Sequence, residues 1–231
     1  MTTRIEILDR GAFASALVHL EGGDRFVSES GAMYRASANV DVDVTTKSRG
    51  TGGILGGVKR LLASENFFFS TYRAEDGQPA EVGLAPVHQG EVRVVPVDPE
   101  LAWVCAGGSY LGSDDSLLVE TQFQGLKGLF TGEAIFFLRV SGSGQLVVSA
   151  FGRIEEVDVD GALTVDTGHL VAFEESLRYT VTKAGGSWLQ SFLAGEGVTM
   201  KFEGKGKILV QSHNASDFGR RLGALLPPRE N

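Results

Sequence analysis

The chain has 231 residues, 42% of them apolar, with a formal net charge of −8. That apolar share excludes wholesale disorder, and the acidic balance argues against broad nucleic-acid or anionic-membrane binding, which draws on clustered Lys and Arg. A single cysteine, Cys105, excludes an intrachain disulfide and fits a reducing compartment.

In chain order, Arg4 to Asp9 alternates and reads as a strand, as does Ala14 to Leu20, closed by the turn Glu21-Gly-Gly-Asp24. Val27 to Glu29 leads into Gly31-Ala-Met33. Asn39 to Thr46 alternates strictly, with Val40, Val42 and Val44 on one face and Asp41 and Asp43 on the other. Phe67 to Arg73 is a strong strand, and Asp76-Gly77 is a hairpin signal. Strands follow over residues 82–86 and 90–98, where Pro86 and Pro96 mark edges or ends. The series continues with 103–106, 116–123, 134–140, 145–151, 154–159, 163–165, 170–173, 178–183, 198–202 and 207–212. Residues 215–226 read as a helix, with Phe218, Leu222 and Leu225 at helical spacing and Pro227-Pro228 as its stop. The 31 glycines, about twice ordinary usage, suit many tight turns. Many short strands with glycine turns predict an all-β sandwich or barrel.

No stretch approaches the ~18 apolar residues that a membrane-spanning helix needs. Residues 1–9 lack a secretory apolar core and carry acids early, so a cytoplasmic location is expected.

A long-period repeat is expected. The glycine turns at Gly31, Gly108 and Gly168 align, each followed by a strand and then by a glycine-rich turn with a glutamate: Glu65, Glu133, Glu196. This predicts one all-β domain over residues 1–213, made of three divergent repeats (about 1–98, 99–160 and 161–213), then a helix and tail over 214–231. The pseudo-threefold arrangement gives the glutamates two readings. Each is a carboxylate accepting backbone N–H bonds at a turn, or the three converge on a cation or ligand site.

The residues offer no recognisable catalytic constellation, so a non-enzymatic protein is expected, without cofactor or metal. Cys105, in Trp103-Val-Cys-Ala106, reads as a small buried hydrophobe. The loop with Gly52, Gly53, Gly56 and Gly57 fails the phosphate-binding pattern, because Val58 precedes Lys59 and Arg60 follows it. It remains a candidate ligand or partner contact with Lys59 and Arg60. Those cations lie near Phe67 to Phe69 and give a weaker single-stranded nucleic-acid reading. The four histidines, His19, His88, His169 and His213, show no metal-ligand spacing. His169, in Asp166-Thr-Gly-His, reads as a turn residue first and as a candidate site second. Ser141-Gly-Ser-Gly144 lacks the spacing of a hydrolase elbow.

Gly31-Ala-Met33, residues 52–60, Glu81-Val-Gly-Leu-Ala-Pro86, Gly132-Glu-Ala-Ile-Phe136 and residues 165–173 resemble the altered-inheritance-of-mitochondria family. The resemblance covers about residues 4–213. It implies a fold like that of the tryptophan RNA-binding attenuation protein, with small β-sandwich units in a short double-stranded β-helix form, assembling into rings or pseudo-symmetric trimers. It carries over no catalytic residue, and fold likeness alone implies neither RNA nor tryptophan binding. The expected role is a binding or scaffolding β-module that self-associates or holds a protein partner. The alternative is a small-ligand or ion-binding protein with its site at the repeat junction.

Overall fold

A computed structural model describes residues 3–45, 68–122, 136–183 and 198–227. These residues form antiparallel sheets and one short C-terminal helix. The strands are β1 (Arg4–Leu8), β2 (Ser15–Leu20), β3 (Arg25–Glu29), β4 (Met33–Ala36), β5 (Val40–Thr45) and β6 (Phe69–Ala74). They continue with β7 (Ala80–Leu84), β8 (Val92–Val97), β9 (Trp103–Ala106), β10 (Tyr110–Asp114), β11 (Leu118–Gln122) and β12 (Phe137–Ser141). The last are β13 (Gly144–Ser149), β14 (Ile154–Asp166), β15 (Leu170–Glu174), β16 (Arg178–Lys183) and β17 (Val198–Gln211). Helix α1 spans Ala215–Gly223.

One sheet has the order β1-β2-β7-β4 and a second β5-β6-β3-β10-β13-β8. The third runs β11-β12-β9-β15-β17-β14, with β16 also paired to β17. One pairing scheme recurs through them. β3 and β5 flank β6, while β2 and β4 flank β7. β9 and β11 flank β12, while β8 and β10 flank β13. The first half of β17 lies between β16 and the second half of β14; its second half lies between β15 and the first half of β14.

Three buried clusters lie among these sheets. The first joins Phe26, Tyr72, Val82 and Leu84 to Leu111 and Val147. The second joins Trp103, Cys105, Leu138 and Val140 to Val27, Phe69, Val171 and Leu209. The third joins Val165, Phe173, Met200 and Phe202 to Val104 and Phe137. Grouping the strands as three sets, β1–β7, β8–β13 and β14–β17, each cluster draws side chains from more than one set.

The all-β expectation holds, and two local readings need correction. Residues 154–159 and 163–165 are one strand, as are 198–202 and 207–212. Gly161 and Gly204 sit opposite each other in that ladder, at φ 120° and 126°. The positive φ on both partners leaves the pairing unbroken. Second, β4 and β10 were hidden by the glycine turns before them. Those turns exist, with Gly31 at φ 89° and Gly108 at φ 82°. The strands after them lack alternation, because β10 is buried on both faces and β4 is exposed along its whole length.

Helix α1 begins at Asn214, whose side chain accepts the N–H groups of Ser216 and Asp217. It ends at Gly223, earlier than expected. Phe218 anchors it edge-on against Phe151, with ring centroids 5.4 Å apart.

Candidate functional site

His169 is the one candidate site residue among those described. It closes a 3-10 turn, Thr167–His169, between β14 and β15. The Asp166 carboxylate accepts the Gly168 N–H at 2.8 Å, so it caps this turn instead of orienting the imidazole. Nδ1 of His169 donates to the Gln211 carbonyl at 2.8 Å. Gln211 answers by donating its side-chain N–H to the Gly168 carbonyl at 2.9 Å and accepting the Phe151 N–H at 2.8 Å. The Thr167 hydroxyl donates to the Val198 carbonyl at 2.8 Å. These bonds tie both ends of β17 to one turn.

Gly52, Gly53, Gly56, Gly57, Lys59, Arg60, Glu65, Glu133 and Glu196 lie outside the described residues. In chain order they fall between β5 and β6, between β11 and β12, and between β16 and β17. Cys105 is wholly buried, and burial pushes its thiol up to about 12, which suppresses the reactive thiolate.

Other carboxylates work on the backbone. Asp114 accepts the Gln145 N–H at 2.8 Å and Glu174 the Lys207 N–H at 2.9 Å. Ser37, with a hydroxyl in the same place, accepts the Glu81 N–H at 2.9 Å. Glu91 accepts the Ile154 N–H at 2.8 Å. The sequence signal for two of these was present as Asp114-Asp-Ser-Leu117 and Glu174-Glu-Ser-Leu177, a quartet repeated in side-chain type.

Two charged regions were not foreseen. On the first sheet, His19 lies between Glu6 at 3.5 Å and Glu81 at 3.3 Å, with Arg35 on Glu81 at 3.0 Å. Its ring also meets the Arg4 guanidinium at 3.0 Å. Beside that sheet, an open groove of about 930 Å³ runs along β1 and β8, each the last strand of its sheet. Arg4, Arg10 and Arg93 line it with Glu6, Glu91, Ile5 and Val92. Three guanidiniums beside apolar walls suit a small anionic group. These residues come from β1, β8 and the segments beside them, so no local motif announced them.

Among the described residues no helix is long and apolar enough to cross a membrane, and no group of His, Cys, Asp and Glu is arranged to hold a metal ion.

Comparison with known proteins agrees with this architecture. The X-ray crystal structure of a Streptococcus pyogenes protein matches with a TM-score of 0.81 at 27% sequence identity, over 97% of this chain and 100% of that one. An uncharacterised protein of Streptococcus pyogenes serotype M6 is 30% identical over 219 residues, covering 93% of this chain and 87% of the relative. The family described as mitochondrial biogenesis AIM24 matches residues 5–213. Its homologues carry no defined biochemical function, and the chain belongs to this mitochondrial biogenesis AIM24 family.

Proposed function

We propose that this protein is a non-enzymatic, cytoplasmic binding or scaffolding module of three divergent β-repeats, which self-associates or holds a protein partner. The observation that carries this reading is where the polar chemistry goes. Asp114, Asp166, Glu91 and Glu174 accept backbone N–H groups, and His169 donates to a backbone carbonyl. Such groups fix turns and strand ends. The recurring pairing scheme supports the repeat reading, because it places neighbouring strand sets in shared sheets.

The test is capture with the full chain as bait, run beside a broad screen of metabolite turnover. Stoichiometric capture of a protein, or of the chain itself, without turnover is the expected result. A turnover that one point substitution abolishes while the fold persists would overturn it.

The groove along β1 and β8 favours a second reading, a small-ligand protein with an anion held near a repeat junction. Equilibrium dialysis with inorganic phosphate, repeated on Arg93→Gln, tests it. Saturable binding lost in the variant supports this reading, and equal retention by both proteins removes it.

A further inference from the structure

Two internal joints of this chain are built alike, and a third of the same kind is open. At the first, β10 pairs with β3 through Gly112↔Ser28, Ser113↔Val27 and Asp114↔Phe26. At the second, β15 pairs with β9 through Ala172↔Cys105, Phe173↔Val104 and Glu174↔Trp103.

β10 and β15 share four features. Each follows a glycine-containing turn. Each has a register shift near its start, at Tyr110/Gly112 and Leu170/Ala172. Each pairs on its other side with the strand that closes its set, through Gly112↔Val147 and Ala172↔Leu209. Each ends on a carboxylate that accepts a backbone N–H, Asp114 from Gln145 and Glu174 from Lys207.

β4 has the first three, the Gly31 turn, a shift between Met33 and Arg35 and the pair Arg35↔Gly83; in place of the carboxylate, the Ser37 hydroxyl just past the strand accepts the Glu81 N–H. Yet β4 ends its sheet, and its second edge pairs with no described strand. Its exposure differs to match. Every residue of β4 is exposed, whereas β10 is buried throughout and β15 is buried from Leu170 to Phe173.

The strand equivalent to β3 and β9 is the second half of β14. Phe26 lies opposite Tyr72, Trp103 opposite Val140, and Leu163 opposite Phe202. Each pair belongs to or packs on its own set's core. Residues 161–166 pair with β17 on one side, and β14 ends its sheet. Among the described residues there is thus one open edge of each kind.

We propose that β4 of one copy pairs antiparallel with residues 161–166 of a second copy, joining chains head to tail. This deepens the scaffold reading above and rests on it. The register of the two internal joints places Arg35 opposite Val165, Ala36 opposite Thr164 and Ser37 opposite Leu163. The contact is heterologous, so it closes into a ring or continues as a filament. Main-chain hydrogen bonds lead it, as in β-strand addition. The flanking side chains are more polar than at the internal joints. Thr164 stands where Val27 and Val104 stand, and Gly83 where Val147 and Leu209 stand. The Tyr34 ring lies where a Cβ on Gly83 would be. The joint is therefore weaker than the internal ones, and assembly is reversible and concentration-dependent.

The test uses the full chain with Ala36→Cys and Thr164→Cys as separate variants, both on exposed positions, with melting temperatures checked against the wild type. Cys105 is wholly buried and stays in place. Mixing the two variants under mild oxidation is expected to give a reducible covalent dimer at least ~10-fold above either variant alone. Wild-type sedimentation is expected to show mass rising with concentration. No mixed dimer at millimolar protein overturns the joint. So does an internally cross-linked monomer from the double variant, because the two edges would then close within one chain. A wild type that stays monomeric while capturing another protein overturns this joint and leaves the scaffold reading intact.

Discussion

The Arg139 guanidinium is held in a fork by the Glu175 carboxylate, with Nε to Oε1 at 2.7 Å and Nη2 to Oε2 at 2.9 Å. Arg139 sits on β12 and Glu175 just past β15, two segments 36 residues apart in sequence. Nη1 of the same guanidinium donates to Glu120 at 3.3 Å and to the Ser141 hydroxyl at 2.9 Å. This cluster ties the second strand set to the third on a partly exposed face. A forked pair fixes geometry better than a single contact does.

Arg139→Gln is expected to destabilise by about 0.5–1 kcal/mol, near the upper end for exposed pairs. The pH dependence follows from Glu175. Hydrogen bonding to Arg139 lowers its carboxyl from the ordinary value of 4.5. A lowered folded value contributes stability above the unfolded range, and that stability is lost as pH falls through the folded value. Glu175→Gln should therefore be less stable than the wild type at pH 7, and the gap should shrink below about pH 4.5. Urea unfolding at both pH values measures it; a gap that widens on acidification would contradict the assignment.

Glu29 behaves with the opposite sign. It lies opposite Phe69 in the β3–β6 ladder, and burial raises its carboxyl above 4.5. A raised folded value favours the fold at low pH, and that contribution is lost as pH rises through the folded value. Glu29→Gln is expected to stabilise the protein at pH 7, with the advantage disappearing under acid. Thermal melts across pH give the comparison.

Gly161→Ala tests the glycine pair in the β14–β17 ladder. A Cβ there meets no atom within 4 Å, so any cost comes from φ +120°. Backbone strain of this kind should cost about 1–2 kcal/mol. Gly219→Ala in α1, also without contacts or positive φ, should instead gain ~0.5–1 kcal/mol from helix propensity. Denaturant midpoints of the two variants should move in opposite directions.

His169→Ala separates turn from site. Loss of the Nδ1 bond to the Gln211 carbonyl should cost about 0.5–1.5 kcal/mol. Partner capture by the folded variant should match the wild type. Full stability with lost capture would assign His169 a binding role.

Leu138→Ala probes the shared interior. Leu138 has no accessible surface and lies in the cluster that draws on all three strand sets. The expected loss is about 2–5 kcal/mol, in one cooperative transition. Two separate transitions would show that the strand sets fold independently.

Much of the strand set was legible. The Val40-Asp-Val-Asp-Val44 alternation and the Phe69–Ala74 segment carry period-two or strongly β-forming side chains, and both are strands. β10 was not legible, because Tyr110-Leu-Gly-Ser-Asp114 is buried on both faces and has no alternation to read. Gly161 and Gly204 read as breaks in the sequence, because a sequence cannot show that two glycines stand opposite each other in one ladder. Of the candidate site, only His169 falls within the described residues, and its turn role agrees with the first of the two readings its motif allowed.

The sequence by itself determined the fold class and the family, because strand patterning, turn residues and family motifs are local along the chain. It also placed the glycine turns at Gly31 and Gly108. Only the tertiary structure decided which edges meet. β10 joins β3, β15 joins β9, and β4 is left at the end of its sheet. Strand edges offer the same backbone N–H and C=O groups whatever their sequence, so pairing between distant strands is set by packing across the shared interior.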